Sequence, residues 1–292
     1  MFESPQELEN ILGKENYIAG PDLSMVVYLA LKMEKPLFLE GETGVGKTEL
    51  ANVLARILSR KLIRLQCYEG LDTNAALYEW NYAKQLLGIK LQESGRCDIG
   101  GLDDVFSEPF LIKRPLLQAI QSESSGQSVL LLIDELDQAD QEFEAFLLEL
   151  LSEFQVSIPE IGTIKADRKP IVVITSNRTR DVHDATKRRC LYHWIKYPTP
   201  DLEEKIIRAK VPGIEPGLTW QICKFMERVR REESFVKRPG IAESLDWAEA
   251  LLILHRDQLD EKTVMETQGC IFKFRQDQQK FQEDCSAFLE VV

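Results

Sequence analysis

The spacing of apolar residues divides the chain into two regimes. Up to about residue 197, short continuous apolar runs alternate with stretches of helical period, and beyond it only the helical period remains. Strands are predicted at Pro36-Leu37-Phe38-Leu39-Glu40, Lys61 to Cys67, Ser128 to Glu135, Pro170 to Asn177 and Cys190 to Ile195. The runs Val129-Leu130-Leu131-Leu132-Ile133 and Ile171-Val172-Val173-Ile174 are apolar throughout, the mark of strands buried on both faces of a parallel sheet. Between them lie helical periods at residues 6 to 33, broken at Gly20-Pro21, at Glu49 to Leu58 and at Gln141 to Leu151. Strands and helices taking turns predict an α/β fold with a parallel sheet.

Smaller features decorate this alternation. Phe154 to Ile158 and Thr163 to Ala166, joined by a turn at Pro159-Glu160-Ile161-Gly162, predict a β-hairpin over 154–166. A helical start at Asp72-Thr73-Asn74-Ala75-Ala76 runs into the alternation Tyr78-Glu79-Trp80-Asn81-Tyr82, which would set three aromatics on one side of an extended chain. The stretch of about 72–99 therefore reads as an insertion interrupting a helix, with Gly95, Gly100 and Gly101 marking a loop after it. Ser107-Glu108-Pro109 opens a predicted helix through Leu111, Ile112, Leu116, Leu117 and Ile120, ending in the polar turn Ser122 to Gly126. The pattern changes at Tyr197-Pro198-Thr199-Pro200, so the chain divides into an α/β core at 1–197 and an all-helical region at 198–292. Its helices are predicted at Asp201 to Lys210, Thr219 to Arg230, Ala242 to Arg256 and from Asp260 onward.

Charge narrows the range of partners. With 36 Lys and Arg against 48 Asp and Glu, the net charge of −12 disfavours nucleic acid and anionic lipid surfaces. No signal peptide or membrane-spanning run is evident, so a cytoplasmic protein is expected. The six cysteines, including Cys97, and the three histidines are scattered, without spacing that suits structural zinc or a disulfide framework.

The chemistry concentrates in Gly41-Glu42-Thr43-Gly44-Val45-Gly46-Lys47-Thr48, between the first strand and a helix. In such a strand, loop and helix the backbone N–H groups wrap phosphates, Lys47 reaches the β- and γ-phosphates, and the Thr48 hydroxyl ligates Mg²⁺. The cofactors expected are ATP and Mg²⁺. Two acids, Asp134 and Glu135, follow the most apolar strand; Asp134 would hold Mg²⁺ and Glu135 would orient or deprotonate the attacking water. Asn177 ends the neighbouring strand, where its amide would either orient the same water or cap the next turn. Arg188 and Arg189 are candidates to stabilise charge on the transferred phosphoryl group, or else belong to a solvated basic loop.

These motifs, with Cys67-Tyr68-Glu69-Gly70-Leu71-Asp72, Leu77 to Tyr82, Ile112 to Leu117, Asp134-Glu135-Leu136-Asp137, Ser176 to Arg180 and Lys187 to Cys190, resemble the MoxR group of AAA+ ATPases. Within it they are most similar to the CoxD-type branch linked to maturation of carbon monoxide dehydrogenase. The resemblance implies an AAA+ P-loop NTPase domain followed by a small all-α lid. It also implies a hexameric ring with ATP between subunits, and Arg189 acting in trans. The segment 72–99 would be the helix-two insert facing the pore and the hairpin the pre-sensor insertion. It further implies remodelling of a client metalloenzyme alongside a partner carrying a von Willebrand factor A domain; a nucleic-acid motor or a general protein-threading ATPase is the alternative. No arginine of the lid falls in register with the family's γ-phosphate sensor, although Arg238 could substitute. Tyr78, Trp80 and Tyr82 are either pore aromatics or core residues.

Overall fold

The structure, a computed structural model, describes residues 2–93, 105–122 and 128–289. Gly95, Cys97, Gly100, Gly101 and residues 123–126 of the polar turn lie outside the described residues. The chain forms two compact units, residues 25–40 with 51–193, and residues 1–24 with 41–50 and 194–292. Each unit is assembled from several segments, so the grouping is more interleaved than a single cut near 198.

The first unit is built on a five-stranded sheet. Its strands are β1 (Leu37–Gly41), β2 (Lys61–Gln66), β5 (Val129–Asp134), β8 (Ile171–Ser176) and β9 (Leu191–Ile195), in the order β2-β5-β8-β1-β9. β2 runs parallel to β5, β5 to β8 and β8 to β1, with Leu65 opposite Ile133 and Glu40 opposite Ser176. β5 is buried along its whole length, as an apolar run covered on both faces must be. Because these strands are parallel, Gln66, Asp134, Ser176 and Glu40 all end at one edge of the sheet, where ligands of such folds bind. The core beneath that edge packs Phe38, Ile133, Leu136, Phe143, Leu147 and Val172.

Two sequence expectations change here. Tyr78–Trp80 is indeed extended and forms β3, paired antiparallel with β4 (Leu111–Lys113). Tyr82, however, opens the helix Tyr82–Glu93 and is 64% exposed, whereas Trp80 is buried, so the aromatics do not share one face. The helix expected from Ser107 is replaced by a single turn Glu108–Phe110, then β4, then the helix Pro115–Ser122. Pro115 explains the break, since the residue before a proline is driven out of helical backbone. The hairpin forms as read, from β6 (Gln155–Ile158) and β7 (Gly162–Lys165).

In the second unit the helices Pro200–Lys210, Pro216–Arg231, Ile241–Ile253, Glu261–Ile271, Arg275–Glu283 and Cys285–Leu289 enclose an aromatic core of Phe225, Phe235, Trp247, Phe272 and Phe281. Burying each such ring contributes about 1.5–3 kcal/mol relative to leaving it exposed. The single final helix expected after Asp260 is three. Phe272 takes extended backbone and drives its ring against Phe235 and Phe281, with centroids 5.0 and 5.1 Å away, which ends the first of them.

Candidate functional site

The glycine-rich loop leaves β1 and enters the helix Lys47–Ile57. Gly44 and Gly46 take φ of 78° and 92°, a region that side chains resist. Lys47 is 6% exposed, and its ammonium donates to the Gly41 and Glu42 carbonyls, both at 2.7 Å. Buried Tyr17 donates to the Gly46 carbonyl at 3.4 Å. Burial, with the Glu49 carboxylate near, pushes its phenol well above the ordinary range, so it remains a neutral donor. Val45 is buried, Gly44, Gly46 and Thr48 are half-buried, and Glu42 and Thr43 are exposed. A curled loop of main-chain donors with one buried ammonium and a hydroxyl is a donor set that fits a polyphosphate with its metal ion.

In the sheet unit the two acids sit in a network of side chains. Asp134, 1% exposed, accepts through Oδ2 from Arg64 Nε at 3.0 Å and Nη2 at 2.5 Å, and through Oδ1 from the Thr175 hydroxyl at 2.5 Å. Glu135 takes left-handed backbone, φ 57°, and its N–H donates to the same Thr175 oxygen at 2.9 Å. That kink turns its carboxylate sideways along the sheet edge. Oε1 accepts from Asn177 Nδ2 at 3.0 Å and Oε2 from Gln66 Nε2 at 2.9 Å. Asn177 is anchored in turn, its N–H donating to Asp137 Oδ1 at 3.0 Å. Asp137 also accepts from the Thr179 N–H and hydroxyl at 2.9 and 2.7 Å. Burial pushes the Asp137 carboxyl up, but the bonds from Thr179 and Asn177 outweigh it and hold it below the usual carboxylate range. The structure thus joins Glu135 to Asn177 directly.

The surroundings are polar but unreactive in themselves. Cys67, whose N–H donates to the Asp134 carbonyl, is buried beside Asp134, Asp137 and Glu135, and burial first, then these charges, push its thiol up to about 12. It is no nucleophile at neutral pH. Among the described residues no cluster of three acids, histidines or cysteines could cage a metal by itself. Mg²⁺ is suited to such a place, since it is commonly held by one or two protein oxygens together with phosphates.

The basic stretch sorts by burial. Arg180 pairs with buried Glu144 and donates to the Ala139 carbonyl. Lys187 pairs with buried Glu40 at 3.1 Å and lies 5.7 Å from the ring centres of Phe38 and Tyr192. Tyr192 donates to the same Glu40 at 2.7 Å, and burial together with that bond pushes its phenol up to about 12. Arg188 and Arg189 end the helix Asp184–Arg189 and are exposed, Arg189 donating to the Ala185 carbonyl at 3.2 Å. Arg238 is half-buried, with its carbonyl accepting from Tyr197 at 3.4 Å.

Sequence reading missed Arg64, Gln66, Thr175 and Asp137, which hold the acids. A signal was present, since Gln66 and Thr175 stand at or near strand ends on the edge where Asp134 also ends. What the sequence lacks is strand order, without which residues 70 positions apart cannot be recognised as partners.

Comparison with known proteins agrees with the fold. Two variants of RuvB from Thermotoga maritima match the fold with a TM-score of 0.50, at 15% and 16% identity, covering 99% of this chain and 78% and 79% of theirs. An uncharacterised protein of Staphylococcus epidermidis is 24% identical over 267 residues, 89% of this chain and 90% of its own. Another, from Staphylococcus aureus, is 27% identical over 248 residues, 82% of each chain. The sequence model of the AAA domain, dynein-related subfamily, matches residues 36–190, and the chain belongs to that family.

Proposed function

We propose that the protein is an ATP-hydrolysing AAA+ remodeller of the MoxR type that matures or activates a metalloenzyme. ATPase activity in general follows from the family. The observation that carries the site reading is the bond from Asn177 to Glu135 at the sheet edge, 3.0 Å, with Asn177 itself locked by Asp137. A general base must be held in one orientation, and this pair holds it.

Lys47 and the N–H groups of the loop residues Gly41 to Thr48 bind the phosphates, with the Thr48 hydroxyl and Asp134 as the protein's oxygens toward Mg²⁺. Bound Mg²⁺ supplies charge neutralisation at the phosphates. Glu135 accepts a proton from the attacking water, and Asn177 keeps its carboxylate aimed. Arg189, exposed at its helix end beside Arg188, acts on the nucleotide of a neighbouring subunit in a hexameric ring. A von Willebrand factor A domain protein and a client metalloenzyme complete the assembly. The sequence resemblance to the CoxD-type branch supports the client class, and the net charge of −12 argues against a nucleic-acid track.

The test is an affinity capture with Glu135→Gln loaded with ATP, because blocked hydrolysis holds clients in place. Recovery of a von Willebrand-type partner with one metalloenzyme supports the reading. Recovery of nucleic-acid machinery, or of a spread of unfolded proteins, leaves an ATPase with a different purpose.

A further inference from the structure

The start of the helix Ile241–Ile253 is capped in an unusual way. The first N–H groups of a helix have no partner within it, and a Ser, Thr, Asp or Asn before the first turn commonly accepts from them. Gly240 occupies that place and has no side chain. The acceptor comes instead from the phosphate loop, whose Gly44 carbonyl takes the N–H of Ile241 at 3.0 Å and of Ala242 at 3.2 Å. Glu243 closes the cap by accepting the Gly240 N–H at 2.8 Å. Glycine is required by proximity. With φ at −84° any residue suits the backbone, but a Cβ there would lie 2.6 Å from the Thr43 carbonyl oxygen and 3.0 Å from Gly44.

Gly240 is in turn held from behind by a buried guanidinium. Arg230, 8% exposed, donates to the Pro239 carbonyl at 2.8 Å, the Gly240 carbonyl at 3.1 Å and the Ser244 hydroxyl at 3.0 Å. It is clamped in that pose by two bonds to fully buried Glu203, at 2.6 and 2.8 Å, and its guanidinium carbon lies 5.1 Å from the ring centre of Tyr197. A buried ion pair by itself contributes little net stability. The bonds to Pro239 and Gly240 go beyond pairing, since they fix the segment that meets the loop.

A trans peptide is planar, so holding the Gly44 carbonyl also fixes the direction of the Val45 N–H. That N–H is one of the donors the loop has for phosphate. We infer that Arg230 is a positioning residue for nucleotide binding, acting through Pro239 and Gly240 on the Gly44 peptide of the phosphate loop. The inference rests on the nucleotide-binding reading of that loop. It gives the helical unit a direct hold on the phosphate site without any side chain touching the nucleotide.

The test uses the full chain and ADP carrying a fluorescent methylanthraniloyl group. Arg230→Lys keeps a positive charge for Glu203 but lacks the planar fork that reaches both carbonyls. It and Gly240→Ala are each expected to raise Kd about tenfold. The decisive variant is the double, expected to bind no more weakly than Gly240→Ala alone, because both changes break one coupling. A role confined to folding would instead lower the thermal midpoint and leave Kd in place, or multiply the two losses, and either result overturns the inference. Should Arg230→Lys not fold, Gly240→Ala carries the test, and unchanged affinity there also overturns it. A native protein that binds no nucleotide defeats the reading of the loop itself, and the inference with it.

Discussion

In the phosphate loop the contacts that set geometry fall on main-chain atoms: Lys47 and Tyr17 donate to loop carbonyls, and Ile241 and Ala242 donate to the Gly44 carbonyl. At Asp134–Asp137 they are made by side chains, from Arg64, Gln66, Thr175, Asn177 and Thr179. The loop is thus shaped by backbone and glycine, the acid cluster by residues whose identity matters atom by atom. The loop grips, so damage there should appear as lost affinity. The acid cluster aims, so damage there should appear as lost turnover, and each prediction below tests that division.

The largest effect is expected at Glu135. Replacing it with glutamine keeps the shape but removes the base, and kcat for phosphate release should fall about 10³-fold while nucleotide affinity stays within about twofold. Lys47→Ala is the counterpart, expected to lose binding first. Should Glu135→Gln turn over like the native protein, or lose binding with turnover, the division between grip and aim collapses.

Next comes Asp137, which touches no nucleotide in this scheme. Asp137→Asn leaves a weaker acceptor for the Asn177 and Thr179 donors and should destabilise the fold by about 2–3 kcal/mol, lowering kcat through a misplaced Asn177. The pH dependence has a definite sign. The folded carboxyl lies below its ordinary value of 3.8, so its contribution is fully present above that pH and is lost as the pH falls further. Denaturant titrations at several pH values should show the gap between native and variant closing below about pH 3.8 and constant near neutrality. A gap that does not change with pH would mean that Asp137 acts by shape alone.

How much of this could be read from the sequence follows the same division. The loop was legible because its chemistry is local: glycines where φ is left-handed, then Lys47 and Thr48, all within eight neighbouring positions. The strands β5 and β8 were legible from unbroken apolar runs, and their polar ends gave Asp134, Glu135 and Asn177. Arg64, Gln66 and Thr175 were not, because their roles exist only once β2, β5 and β8 lie side by side. The docking of Gly240 on Thr43 and Gly44 was hidden for a similar reason, since a glycine before a helix is ordinary until something is found to occupy its missing side chain. Periodicity failed at Tyr82 and at Phe272, where ends of short elements are set by tertiary packing instead of propensity.

A smaller effect separates two ways of holding Glu135. Gln66 donates to Oε2 and Asn177 to Oε1, so the carboxylate meets a water while both oxygens already accept. Gln66→Ala removes one of these donors and frees an oxygen, and kcat should rise about threefold with KM unmoved, the scale of one net hydrogen bond. Steady-state phosphate release decides it. A fall of similar size would show Gln66 to be part of the aim, on a par with Asn177.

The smallest effect belongs to Arg64 and sharpens the role of Asp134. Its side chain is 51% exposed, and it places Nε and Nη2 on the same Asp134 oxygen, at 3.0 and 2.5 Å. Arg64 is half in water although Asp134 is buried, so the guanidinium, unlike the carboxylate, can turn out to solvent. A cation drawn to Asp134 must compete with this guanidinium for Oδ2, while Oδ1 stays tied to Thr175. Arg64→Gln should therefore lower the Mg²⁺ concentration at half-saturation about twofold in a titration of fluorescent nucleotide binding, with metal-free affinity unchanged. A rise instead would mean that Arg64 orients Asp134 for the metal, which would move this arginine from competitor to scaffold.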